Sequence, residues 1–168
     1  MGHRVCRWIW NDMKFVLIDR ITELVPGQRI EAVKALTLAE EYLGDHFPTF
    51  PVMPGVLIVQ ALIEASSWLV RETEGYAHSM LLLGEARNVT YKNFVTPGQT
   101  LEVSVEAKSI EPDTSKFVGL GHCGQTEMVK AHWTLRHFNL ADEDPTLADL
   151  DQRLIASARQ QMALLRRG

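Results

Sequence analysis

The chain has 168 residues, 46% hydrophobic and 23% charged, with a net charge of −4. This composition excludes a disordered or fibrous segment and fits one globular domain that buries a core without staples. The acidic balance excludes the global basic footprint of non-specific nucleic-acid binding, so no nucleic-acid partner is expected.

Cys6 and Cys123 stand far apart in unlike contexts, so no disulfide framework is expected and a reducing cytoplasm is the natural location. The opening MGHRVCRWIWND lacks the continuous apolar core of a signal peptide. No run reaches the roughly 18 to 20 unbroken apolar residues of a membrane span. Met13 offers a second start, which sets residues 1–12 apart as an extension.

From Phe15 to Val25 the chain is rich in apolar and β-branched residues, stops at Pro26-Gly27, and alternates again in RIEAVKALT. That pattern predicts a hairpin. Leu38 to Gly44 reads as a short helical turn, and residues 45–54 as a loop with prolines at 48, 51 and 54. Gly55 to Arg71 holds no internal breaker, and its apolar residues cover most of the circumference, so it is expected to be a long buried helix. After a break at Gly75 come four strand-like runs, SMLLLGEARNVTY, LEVSVEAKSI, KFVGLGHC and EMVKAHWTLRHF. Leu101, Val103, Val105 and Ala107 show clean period-two alternation. The order predicts an α+β fold, an antiparallel sheet around a central helix.

Leu147, Leu150, Leu154, Ala158, Met162 and Leu165 then recur at helical spacing. They predict a C-terminal amphipathic helix, docked on the domain or on a partner subunit rather than on a membrane surface. The partition is therefore an extension (1–12), one domain (13–138) and a helical tail (139–168).

The chemistry concentrates in HFPTFPVMPGVLIVQALIEAS, residues 46–66. His46 can act as general base or acid near neutral pH. The amides opening the helix at Pro54-Gly55-Val56 can polarise an oxygen that gains charge. Glycine there lets a substrate approach the backbone. On residues alone, a hydrogen-bonded loop histidine is the commoner case. Gln60, Glu64, Ser67 and Arg71 equally describe a solvated stripe on one helical face.

The word HFPxxPVMPGVLI resembles the signature of the β-hydroxyacyl-acyl-carrier-protein dehydratases of fatty-acid synthesis, the FabZ/FabA type with the hot-dog fold. FVLIDRITELVPGQRI is similar to that family's opening hairpin and FVTPGQTLEVSVEA to its later strand entry, so the likeness covers roughly residues 14–137. It implies a homodimer, with a trimer of dimers as a further level, in which each site draws on both subunits. It implies loss of water from a 3-hydroxyacyl thioester to give a trans-2-enoyl thioester, or the reverse, without metal or redox cofactor. The substrate would ride on the phosphopantetheine of acyl carrier protein or on coenzyme A. Carried over, His46 handles the α-proton, the Gly55 amide with Val56 beside it binds the thioester carbonyl, and the Val52 backbone orients the histidine.

One position departs from the family. A glutamate or aspartate normally stands fourteen residues after the histidine, where this chain has Gln60, with Glu64 four residues on. Four residues of helix advance about 6 Å, while direct proton transfer needs heavy atoms about 2.6 to 3.2 Å apart. Glu64 therefore enters through water or through Gln60, or His46 and Gly55 work alone, or the chain binds acyl thioesters without turnover. A hot-dog thioesterase is a weaker alternative. Asp45 replaces the usual glycine, and Thr49-Phe50 replace a pair commonly glycine and a basic residue. Phe50 would make the mouth more apolar.

Arg87, Lys92 and Lys108 are the candidate contacts for an acidic carrier protein. His132 and His137, five apart on one strand, point to opposite faces and carry no metal-ligand logic. His78 and His122 sit near turns without an evident partner. No metal site is expected.

Overall fold

The computed structural model describes residues 16–47 and 49–167. The predicted hairpin forms from β1 (Arg20–Val25) and β2 (Arg29–Ala35). Gly27 turns the chain at φ +73°, and the Gln28 N–H closes the turn on the Val25 carbonyl. The positive φ is what glycine tolerates best. The first strand starts at Arg20 rather than near Phe15, because the Leu17 N–H is taken by the Glu64 carboxylate at 2.7 Å. Phe15 and the 1–12 extension lie outside the described residues.

The short helix also sits later than expected. It is a single turn, α1 (Tyr42–Asp45), which buries Leu43 while Leu38 stays exposed. The long helix α2 runs Gly55–Thr73, two residues beyond the predicted Arg71, or about 28 Å at 1.5 Å per residue. The four later runs become β3 (Met80–Tyr91), β4 (Thr100–Ile110), β5 (Thr114–Cys123) and β6 (Thr126–Phe138). All pairings are antiparallel, in the order β1-β2-β4-β5-β6-β3.

The alternation in β4 and β6 drives Leu101, Val103, Val105, Val129, Ala131, Trp133 and Leu135 to the face against α2. In β5 the inward positions include two glycines. A Cβ at Gly119 would stand 2.6 Å from the Trp133 ring and 3.2 Å from Leu62. One at Gly121 would meet Val129 at 3.0 Å and Ile58 at 3.6 Å. The missing side chains let the helix lie close on the sheet. Trp133 stacks on Phe117, and its indole N–H donates to the Ser66 hydroxyl on α2 at 2.9 Å.

After β6, two 3-10 turns (Leu140–Asp142, Pro145–Leu147) lead into α3 (Ala148–Leu165). The helix docks on its own chain by burying Ala158, Met162 and Leu165. Asp151 accepts from the Leu140 and Ala141 amides and from the Ser79 hydroxyl. Arg159 lies over the Tyr76 ring at 4.3 Å. No helix among the described residues is long and apolar enough to cross a membrane.

Because Trp133 is buried and cannot yield, Gly119→Ala is expected to destabilise the fold by about 1–3 kcal/mol through overpacking. Urea unfolding of the variant beside the wild type measures this, and an unchanged midpoint would show that the seating is looser than described.

Candidate active site

His46 follows α1 directly, and the loop beyond it is pinned rather than free. Phe47 takes φ +49°, a region bulky residues rarely occupy, and its carbonyl accepts the Phe50 N–H at 2.8 Å. Further on, the Met53 N–H donates to the Val95 carbonyl at 2.8 Å, with Val52 and Met53 both buried. The loop is thereby fastened to the connection between β3 and β4. The His46 ring meets the Phe47 ring edge-on, with centroids 4.6 Å apart.

His46 opens on a cavity of about 370 Å³ that Val52, Gly55 and Val56 also line. Four residues of the predicted set are therefore brought together. At the start of α2 the Leu57 and Ile58 amides both turn back to the Pro54 carbonyl. The Gly55 and Val56 amides have no backbone acceptor among the described residues. No acidic side chain occupies the first turn to compete for them. The positive end of a long helix and two N–H groups without an acceptor among the described residues thus border a mostly apolar space.

Gly55 has a second reason to lack a side chain. A Cβ there would stand 2.7 Å from the Tyr91 ring. Tyr91, with Asn93 and Phe94, closes the other wall of the cavity, a contribution the sequence reading missed. The available signal was two aromatics three residues apart at a strand end, in TYKNFVTPG. Phe50 does not line the cavity, but packs edge-on against Phe94 at 6.1 Å, both rings exposed. Among the described residues, no hydrogen bond joins the His46 ring to the Val52 backbone within one chain.

Gln60 and Glu64 do not reach this cavity in one chain. Gln60 is exposed, in line with Val56, which is itself 70% exposed. Glu64 is drawn the other way, under the segment before β1, where it accepts the Leu17 N–H. Burial pushes its carboxyl up to about 7, against the opposing pull of the Leu17 amide. Trp68 Nε1 acts in that opposing direction without meeting the geometry of a full hydrogen bond.

The three basic candidates are already paired: Arg87 with Glu85 at 2.7 Å, Lys92 with Glu127 at 3.0 Å, and Lys108 with Glu106 at 3.1 Å. His132 and His137 do lie on opposite faces of β6, with only His137 buried. The expectation for His78 needs correction. It has a partner, Glu74, at 2.9 Å, because the turn after α2 folds the chain back on itself.

The family model for the FabA-like domain matches residues 11–126. The 3-hydroxyacyl-[acyl-carrier-protein] dehydratase FabZ of Wolbachia pipientis wMel is 33% identical over 117 residues, covering 70% of this chain and 82% of that protein. The FabZ of Lactiplantibacillus plantarum is 36% identical over 102 residues, covering 61% and 69%. Among solved structures, the dehydratase heterocomplex ApeI:P from Xenorhabdus doucetiae superposes with a TM-score of 0.65 at 15% identity, covering 79% of this chain and 90% of that one. A Streptococcus mutans UA159 protein bound to acetyl CoA gives a TM-score of 0.54 at 14% identity, covering 76% and 96%. These structural likenesses establish the shared hot-dog fold, and the sequence matches establish that the chain belongs to the FabA-like family.

Proposed function

We propose that the protein interconverts 3-hydroxyacyl and trans-2-enoyl thioesters, carried on the phosphopantetheine of acyl carrier protein or on coenzyme A. The observation that carries this reading is the placement of His46 on the same apolar cavity as the unpaired Gly55 and Val56 amides. A thioester carbonyl seated on those amides makes the C2 proton more acidic. A positioned donor of this kind contributes about 3–4 kcal/mol to transition-state stabilisation. His46 takes the C2 proton, the C3–O bond breaks, and the hydroxyl leaves as water. The reaction moves one proton and one hydroxyl and leaves the redox balance unchanged, so it calls for no redox cofactor.

The leaving hydroxyl still needs a proton. An amide cannot release one, so Gln60 holds the hydroxyl by a hydrogen bond while the His46 imidazolium returns the proton it took. Since Gln60 lies outside its own chain's cavity, it serves the cavity of a partner subunit in a homodimer. The exposed edge of β3 supports this assembly, with Leu82 and Leu83 47% and 46% exposed, since an unprotected apolar edge strand invites pairing. A trimer of dimers is a further level of the same reading. Glu64 is a positioning residue, holding the segment before β1 behind Gln60.

An acidic carrier would displace Glu85, Glu127 and Glu106 from Arg87, Lys92 and Lys108. Such exposed pairs are weak and screened by salt, so the exchange is easy. A reducing cytoplasm suits Cys123 as a free thiol. Gln60 itself favours a second reading, an acyl-thioester-binding relative without turnover.

Enoyl absorbance in assays with 3-hydroxyacyl and enoyl thioesters separates the two. Turnover in either direction, lost by at least about a hundredfold in His46→Ala, is expected, and Gln60→Glu should raise the rate by about tenfold or more. Carrier binding without turnover in both the wild type and Gln60→Glu establishes the second reading. Replacing Leu82 and Leu83 together by arginine is expected to yield a monomer by light scattering and to abolish turnover.

Glu64 generates a separate test. Its folded-state value near 7 lies above the ordinary carboxylate value of 4.5, so between those limits the native state holds a proton that the unfolded state has lost. Stability therefore falls as pH rises through this window, and the loss is complete above it. Glu64→Gln keeps an acceptor for the Leu17 N–H and removes the buried charge. It should gain about 2 kcal/mol at pH 8 and little at pH 4, measured by urea unfolding. An equal gain at both would place the effect outside titration.

A further inference from the structure

At the end of α2 away from the cavity, three side chains from separate segments converge. Glu74 caps the helix, and positive φ angles of 64° at both Gly75 and Tyr76 fold the chain so that His78 returns to it. His137 arrives from the inner face of β6. Glu74 Oε2 lies 2.9 Å from His78 Nδ1 and 3.5 Å from His137 Nδ1. One donor atom from each residue falls within 4.8 Å of the others.

The Glu74–His78 pair is explained as an ordinary hydrogen bond, but His137 is not. Its side chain is 0% exposed, its Nδ1 stands 3.5 Å from Glu74 Oε2 outside full hydrogen-bond geometry, and its Nε2 has no partner among the described residues. Leaving a buried polar atom unpaired costs about 1–3 kcal/mol, and native structures rarely leave it so. A cation accepting the lone pair of one ring nitrogen accounts for that atom.

We propose that Glu74, His78 and His137 bind a divalent transition cation, and that the donor set suits zinc. Two imidazoles and one carboxylate are borderline ligands that favour zinc over magnesium or calcium, which take oxygen. Metal–ligand distances of about 2.0–2.2 Å in a tetrahedron place donors about 3.4 Å apart. The observed separations of 2.9 and 3.5 Å bracket that value. The fourth position is left for water.

Arg71 is the opposing charge. Its guanidinium is held on the His78 and Ser79 carbonyls at 3.3 and 3.1 Å, and the Glu74 carboxylate offsets it. The ion would join the end of α2, the turn into β3 and the end of β6. Standing a helix length of about 28 Å from the His46 end, it is apart from the acyl-thioester cavity and independent of that reading.

The full chain, stripped with chelator and dialysed, is titrated with Zn²⁺ by calorimetry and with Co²⁺ by absorption. One ion per chain, tetrahedral Co²⁺ bands and a higher Tm with Zn²⁺ but not Mg²⁺ are expected. His78→Gln and Glu74→Gln change partly exposed residues, and each should weaken Zn²⁺ binding by about tenfold or more, since loss of an outer-shell partner alone does as much. His46→Ala should leave the stoichiometry at one. Absence of saturable binding by the wild type, binding unchanged in both Gln variants, or binding lost in His46→Ala would each overturn the site.

Discussion

Gly119 and Gly121 leave two gaps on the inner face of β5, which Trp133, Val129 and Leu101 fill from the sheet and Leu62 and Ile58 from α2. Other positions follow from this seating. With the helix held against the sheet by the Trp133–Ser66 hydrogen bond, its first turn is brought under Tyr91 at the end of β3, and the cavity is what remains between them. A side chain at either glycine would force the helix outward or displace Trp133, moving both ends of α2 relative to the strands they serve.

The polar groups at the two ends of that helix stand out for a general reason. The middle of α2 satisfies its own backbone and buries apolar side chains, whereas each end leaves polar groups in search of partners. At the start, two amides face an apolar cavity beside His46. At the finish, Glu74 caps the chain and meets two histidines. The tail helix α3 packs beside this second end, where Asp151 takes the Leu140 and Ala141 amides that β6 leaves behind.

Gln60 and Glu64 illustrate how position changes the meaning of a residue. The amide, cheap to bury when bonded, is exposed, and the carboxylate, expensive to bury, is covered by the segment around Leu17. The covering raises the Glu64 carboxyl to about 7 and removes it from the exposed surface that carries Gln60. A helical wheel puts the two on one stripe; the segment preceding β1 divides the stripe in two.

The α+β class, the hairpin, the helix from Gly55 and the inward faces of β4 and β6 were all legible in the sequence, because periodicity and turn residues act over short range. The family was legible too, since a proline-punctuated word of this kind is local. Boundaries were displaced where a distant group intervened, as when Glu64 captured the Leu17 amide and β1 began only at Arg20. Tyr91 and Phe94 as cavity walls, Glu64 as a partly buried carboxylate and the meeting of Glu74, His78 and His137 each needed segments up to 63 residues apart in the chain to be brought side by side. Such neighbours are chosen by strand order and by the packing of α2 on β5, and no local pattern of residues encodes them.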